Sequence, residues 1–279
     1  MAQITAADVK SLRDKTGLPM MECKKALSEA GGDIDQAIEL LRKAGQKTAE
    51  KQAGRATSSG RVAVHTEPSQ PVGAIVELKC ETAPVANNEE FVALANDLAK
   101  QLATGPGAAT PQELLTQPSP SKSGMTLQEQ WDELYNRIRE NFQLERVARI
   151  DGLCGGYAHH NGAVGVLLEI EEGGDVQLAR DICMHVAAMK PKVLSPEDMD
   201  AAEVAKEREI LSEAARGEGK PENIIEKMVE GRLKNYYAQF CLTEQPYVKA
   251  EDGKTTVGKT AKQAGTKLKQ FIHWELAKE

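Results

Sequence analysis

Residues 72–78 read Val-Gly-Ala-Ile-Val-Glu-Leu, and residues 164–170 read Val-Gly-Val-Leu-Leu-Glu-Ile. The likeness resumes downstream, where Leu94-Ala95-Asn96-Asp97-Leu98 through Leu102-Ala103 matches Leu178-Ala179-Arg180-Asp181-Ile182 through Val186-Ala187. The first halves lie 92 positions apart and the second halves 84, so the first copy holds eight extra residues between them. These fall in 80–88, Cys-Glu-Thr-Ala-Pro-Val-Ala-Asn-Asn. Two readings of that segment stay open. It is a functional loop added to a duplicated scaffold, since loops on rigid supports carry function, or it is a drifted turn without a role.

Within the first copy, Ala74, Val76, Leu78 and Cys80 alternate with Ile75, Glu77 and Lys79, the period of a strand with one apolar face. Arg61–His65 reads as its antiparallel neighbour across the turn Thr66–Pro71. A helix follows at Glu89–Ala103, with Phe91, Leu94, Ala95, Leu98 and Leu102 on one stripe. Segment 104–124 is rich in Pro, Gly and Ser and reads as loop, with one helical turn at Gln112–Leu115. Leu127–Ala148 reads as a further helix, because Trp131, Leu134, Ile138 and Phe142 recur at spacings of three and four. The second copy runs Gly152–Ala188. Ser195-Pro196-Glu197-Asp198 then offers a cap, a proline at the first helical position and a carboxylate to bond back. Helix is predicted from there to about Arg216, and again after the break 217–221 through Tyr237. This is a helical hairpin inserted in the second copy, with Val204, Ile210 and Leu211 facing Ile225, Met228, Val229 and Leu233. Phe271–Leu276 reads as a last strand that rejoins the sheet.

Ahead of the repeat, residues 1–45 read as three short helices. Thr5 and Asp8 form a capping box before Val9 and Leu12. Gly17-Leu18-Pro19 ends the first helix and Gly31-Gly32 the second. Asp33 caps the third, which Gly45 is expected to close. So small a bundle has little core of its own and reads as a docking module. Adjacent Met20 and Met21 cannot both face inward on a helix, so one is expected at the surface; an exposed, flexible thioether suits a partner, and simple core filling stays open as the alternative. Residues 46–60 read as a linker.

Composition narrows the function. The chain has 279 residues, a net charge of −7 and a pI near 5.5, which argues against binding nucleic acid by phosphate neutralisation. Five scattered cysteines form no Cys-x-x-Cys pair, so reduced, buried thiols are expected. No apolar run of about 18 residues occurs, and the start lacks a signal-peptide pattern, so a cytoplasmic location is expected. Gly253-Lys254-Thr255-Thr256-Val257-Gly258-Lys259-Thr260 fits the phosphate-loop expression, but the residues before it are polar and only 19 follow. A polar turn leading into a short helix is expected instead. The five histidines show no metal spacing. His185 falls off the stripe Leu178, Ile182, Val186 and is expected at the surface. With no catalytic cluster, a binder or regulator is favoured over an enzyme, and no cofactor or metal is expected.

Several blocks in order carry a resemblance. They are Val9-Lys10-Ser11-Leu12-Arg13 with Thr16-Gly17, Met20-Met21-Glu22-Cys23-Lys24-Lys25-Ala26-Leu27, and Gly32-Asp33-Ile34. Downstream come Met184-His185-Val186-Ala187-Ala188 with Lys190-Pro191, and Glu226-Lys227-Met228-Val229-Glu230-Gly231-Arg232. Over nearly its whole length the chain resembles the elongation factor Ts family, the guanine-nucleotide exchange factors of elongation factor Tu. The resemblance implies an α+β fold with a ubiquitin-associated-like three-helix bundle, a core of two related subdomains and a coiled-coil hairpin. The corresponding boundaries are 1–54, 55–150 and 151–279, with the hairpin at about 195–238. It further implies that Arg13, Met20, Met21 and Lys24 meet the G domain of elongation factor Tu. Thr82, Ala83, Pro84 and Val85 would stand at its wedge, Val164, Gly165 and His185 would contribute from the second subdomain, and Val248 would reach the third domain of the partner. Self-association through the hairpin is a further option.

One departure stands out. Where the family carries Thr-Asp-Phe-Val-Ala, whose Asp-Phe pair wedges into the partner near its magnesium and phosphate site, this chain has Thr82-Ala83-Pro84-Val85-Ala86. The carboxylate and the ring are both missing. The expected function is nucleotide exchange on elongation factor Tu without covalent chemistry. The alternatives are a chaperone-like binding subunit with weakened exchange and, more remotely, a nucleotidase at 253–260.

Overall fold

The computed structural model describes residues 4–67, 70–219 and 221–276. The fold is α+β. Three N-terminal helices come first: α1 (Ala6–Thr16), α2 (Met20–Glu29) and α3 (Ile34–Gln52). The expected capping box is present, with the Asp8 N–H donating to the Thr5 hydroxyl at 3.2 Å and the Thr5 N–H to the Asp8 carboxylate at 2.9 Å. Val9, Leu12, Cys23, Leu27 and Ala37 fill the space between the helices. Gly45 does not close α3, which runs on to Gln52 and shortens the expected linker. The reason is tertiary. A β-carbon at Gly45 would fall 1.6 Å from Oδ1 of Asn136, in the later helix Leu127–Ile138. Here glycine serves close helix approach rather than termination.

Strands β1 (Ser59–Glu67) and β2 (Val72–Cys80) form an antiparallel hairpin. Residues 68 and 69 of the expected connecting turn lie outside the described residues. The inserted segment folds into α4 (Ala83–Ala86), and α5 (Glu89–Thr104) then crosses the sheet. After α6 (Pro111–Leu115) comes α7 (Leu127–Ile138), and β3 (Phe142–Ile150) pairs on the far side of β2. The single helix expected across 127–148 is therefore a helix and a strand. Phe142 kept the helical spacing but packs edge-on against Phe91, Trp131 and Tyr135, with ring centroids at 5.2, 5.6 and 6.1 Å. The chain breaks at Arg139, which takes a left-handed φ of 62°.

The second copy repeats this plan. Strands β4 (Leu153–Ala158) and β5 (Val164–Ile170) form a hairpin, α8 (Val176–Met189) crosses, and a distant strand returns to pair with β5. Before that return, the chain makes a helical hairpin of α9 (Ala201–Gly217) and α10 (Glu222–Phe240) and the short α11 (Val257–Gln263). The return strand is β6 (Leu268–Glu275). The Ser195–Asp198 cap forms, with the Ser195 N–H 2.9 Å from the Asp198 carboxylate, but it starts only one 3-10 turn, Pro196–Asp198. Asp200 caps α9 instead. Within the hairpin Leu211 packs on Ala215, Ile225, Val229 and Leu233. Ile210 stays half exposed, contrary to expectation, because its neighbour Leu211 takes the inward direction.

The two sheets stack face to face. Ala74, Val76 and Leu78 of β2 pack under α5, and Val166, Leu168 and Ile170 of β5 under α8. The intervening residues meet between the sheets, where Val62, Ile75, Ile150, Cys154 and Leu167 are buried. The shared glycine of the two copies has its reason here. A β-carbon on Gly73 would lie 2.6 Å from Leu167 Cδ1, and one on Gly165 would lie 2.4 Å from Val62 Cγ1. The shared glutamates are buried too, Glu77 paired with Arg146 and Glu169 with Lys269. Burial pushes the Glu169 carboxyl up, but hydrogen bonds from Lys269 and Gln270 outweigh it and hold it below its ordinary range.

Candidate protein-docking site

At the start of α2, Pro19 stands in the capping position and Met20 and Met21 project outward, 51% and 74% exposed. Both are at the surface, since the buried side of α2 is occupied by Cys23, Ala26 and Leu27. Arg13 and Lys24 are also exposed. Glu22, which directly follows Met21, forms an ion pair with Arg139, the residue that ends α7.

The next residue, Glu140, holds the inserted loop. Its carboxylate accepts the Thr82 N–H at 3.0 Å and the Thr82 hydroxyl at 2.7 Å. The loop is closed by the Ala86 N–H on the Thr82 carbonyl at 3.1 Å, and by the Asn87 side-chain amide on the Ala83 carbonyl at 2.9 Å. Pro84 suits this one-turn helix, because its fixed φ is helical and its missing N–H falls among groups without an intrahelical acceptor. Thr82, Ala83 and Pro84 are exposed, Val85 is half-buried and Ala86 is buried.

Arg61 anchors the other end. Its guanidinium donates to the Ala86 carbonyl at 3.1 Å and to the His160 carbonyl at 3.0 Å. The β4–β5 turn thereby meets the loop, and the Val62 N–H donates to the Gly162 carbonyl at 2.7 Å. Val164 is half-buried just past this turn, whereas Gly165 is covered by Val62, Val64 and Ile75 of the first sheet.

His185 is buried, not exposed as expected. The stripe Leu178, Ile182, Val186 does face the sheet, but segment 241–250 covers a second side of α8. The Val248 N–H donates to His185 Nδ1 at 3.3 Å, so the proton sits on Nε2, which donates to Gln245 Oε1 at 2.9 Å. Burial holds this imidazole below its ordinary range, partly opposed by the Gln245 bond. Val248 itself is 54% exposed.

The phosphate-loop match folds as a polar turn followed by α11. Asp252 accepts the N–H groups of Lys254 and Thr255, both at 2.9 Å. Two of the N–H groups of this loop are thus already bonded to a carboxylate, held down to about 2 by those bonds. All five cysteines are buried and free. Burial, reinforced by the Glu140 charge, pushes the Cys80 thiol up to about 12. Among the described residues no three His, Cys, Asp or Glu side chains converge as a metal site, and no helix is long and apolar enough to cross a membrane.

The class this architecture defines is a duplicated α+β core with an appended three-helix bundle and an inserted helical hairpin. The family model described as Elongation factor TS matches residues 81–278. Elongation factor Ts of Thioalkalivibrio sulfidiphilus is 41% identical over 276 residues, covering 98% of this chain and 92% of that protein. The proteins of the same name from Clostridium botulinum strain Eklund 17B and Alkalilimnicola ehrlichii are each 42% identical with the same coverage. The chain belongs to the elongation factor Ts family, whose members are translation elongation factors.

Proposed function

We propose that this chain binds elongation factor Tu carrying GDP and promotes release of the nucleotide, acting in the cytoplasm and making or breaking no covalent bond. The observation that carries this reading is the inserted loop, held at both ends while Thr82, Ala83 and Pro84 face outward, and tied through Glu140 and Arg139 to the helix that presents Met20 and Met21. In this reading Arg13, Met20, Met21 and Lys24 grip the G domain, the loop enters beside the phosphate and magnesium site, and Val164 and Val248 extend the contact. Gly165 and His185 contribute as supports. Gly165 lets the sheets meet behind Val164, and His185 fixes the backbone of Val248.

Exchange then follows from linkage. The factor and GDP favour different arrangements of the phosphate loop and switch elements, so each weakens the other's binding by the same factor. The loop tip favours a second, weaker form of the activity, in which the chain binds the partner and exchanges slowly. Ala83 carries no carboxylate, and Pro84 cannot fill the volume of a phenylalanine.

Stopped-flow release of fluorescent GDP from elongation factor Tu separates the two. Retained but reduced acceleration is expected. The double variant Ala83→Asp, Pro84→Phe should raise it, by up to about 30-fold if the ring regains an interface anchor of about 2 kcal/mol. Binding without any acceleration, rescued by the variant, would favour the second form. Absence of binding would reject both.

A further inference from the structure

Arg139 and Glu140 are consecutive, yet they reach opposite ways. Arg139 pairs with Glu22 of α2, and Glu140 takes both polar hydrogens of Thr82. Arg139 is one of two non-glycine residues among those described with a positive φ, the other being Lys190. Glycine would adopt that conformation without steric cost. The arginine contributes its side chain, which crosses from the core to the N-terminal bundle. Further ties run beside it, from the Tyr135 hydroxyl to Gln52 at 2.8 Å and from Arg42 to Glu129 at 3.8 Å. On the far side of the loop, Arg61 holds Ala86.

We propose that Glu140 and Arg139 are positioning residues. Glu140 pre-sets the inserted loop, and Arg139 locks α2 to the same junction, so that Met20, Met21 and the loop meet elongation factor Tu as one rigid surface. This rests on the docking reading above and adds what that reading lacks, a reason for two separate elements to act together. A loop held in place beforehand needs no ordering when its tip enters beside the phosphate site of the docked partner, so Glu140 acts on the exchange step. The Arg139 tie to α2 spares the cost of orienting the bundle against the core on docking, so it acts on affinity.

The two residues therefore have different kinetic signatures. Glu140→Ala frees Thr82, so the GDP-release rate at saturation falls by about three- to tenfold, the scale of one or two net hydrogen bonds, with little change in the half-saturating concentration. Glu140→Gln restores the rate, because its amide accepts the Thr82 N–H and donates to the hydroxyl oxygen. Arg139→Gly relaxes the backbone while cutting the tie to α2. It raises the half-saturating concentration by about three- to tenfold and leaves the saturating rate near that of the natural chain. A purely structural role would not divide the two parameters in this way.

Amide hydrogen exchange on the free chain tests the clamp without the partner. Residues 82–88 should exchange faster in Glu140→Ala and return to the natural rate in Glu140→Gln. Unchanged exchange in Glu140→Ala overturns the clamp whatever the partner does. Faster exchange with an unchanged GDP-release rate overturns the positioning role. A natural chain that fails to bind elongation factor Tu defeats the docking reading instead, and the amide-exchange result then decides the clamp by itself.

Discussion

Replacing Gly165 by alanine adds one methyl group at the layer where the two sheets meet. Its carbon would lie 2.4 Å from Val62 Cγ1, 3.1 Å from Val64 Cγ2 and 3.3 Å from Ile75 Cδ1. Carbon atoms pack at about 3.5–4.0 Å, so the nearest contact is short by more than about 1 Å. Val62 and Ile75 are buried and β-branched, so their χ1 angles are restricted and they have little room to turn away. Overpacking of this kind costs about 1–3 kcal/mol. Alanine also restricts the unfolded chain, which returns about 0.4–1 kcal/mol. The net loss is about 1–2 kcal/mol, which lowers Tm by about 2–8 °C for a chain of this size.

The matched control is Gly231→Ala in α10. Among the described residues nothing lies within 4 Å of its added carbon. There the same chemical change raises helix propensity by up to about 1 kcal/mol, so Tm should rise by about 2–4 °C. Thermal unfolding followed by circular dichroism, with urea midpoints as a second measure, reads both variants. If Gly165→Ala is as stable as Gly231→Ala, close contact between the sheets is not what that glycine serves.

Two further expectations follow from burial and exposure. Met20→Ala and Met21→Ala remove side chains that are 51% and 74% exposed, so stability should stay within about 0.5 kcal/mol while affinity for elongation factor Tu falls by about 5- to 30-fold; unchanged affinity in a titration of the complex would remove α2 from the interface. Burial lowers the imidazoles of His65, His185 and His273 from their ordinary value of 6.5, and the buried Nε2 atoms of His65 and His273 have no hydrogen-bond partner among the described residues. As pH falls through 6.5 the unfolded chain takes up protons that the folded chain refuses, so stability should be level above about pH 7 and decline below it. His273→Phe should make that decline shallower in urea midpoints taken between pH 7.5 and 5.5, and an unchanged slope would show that His273 contributes nothing to it.

Much of the fold was legible because it rests on local periodicity. The duplicated strand and helix, the three N-terminal helices, the helical hairpin and the last strand all follow from apolar spacing and caps, which act over a few residues. Repetition added a long-range fact, since two copies of one pattern imply two copies of one topology. The errors share a physical origin. Gly45 reads as a helix end unless one knows that Asn136 packs on it. Phe142 continues a helical stripe until its partners Phe91, Trp131 and Tyr135 are seen together. His185 lies off one apolar stripe, and only the returning segment that carries Gln245 and Val248 covers it.

The candidate site divides the same way. The sequence alone determined the α+β class, the eight-residue insertion in one copy, and the substitution of Ala83-Pro84 at its tip. It also determined that adjacent Met20 and Met21 could not both be buried in a helix. Only the tertiary structure decided that α2, the inserted loop and the β4–β5 turn are joined through Glu22, Arg139, Glu140 and Arg61, contacts that span up to 117 positions of chain. No pattern of neighbouring residues encodes such pairs. They exist because the stacked sheets and the α3–α7 contact bring distant segments within hydrogen-bonding reach.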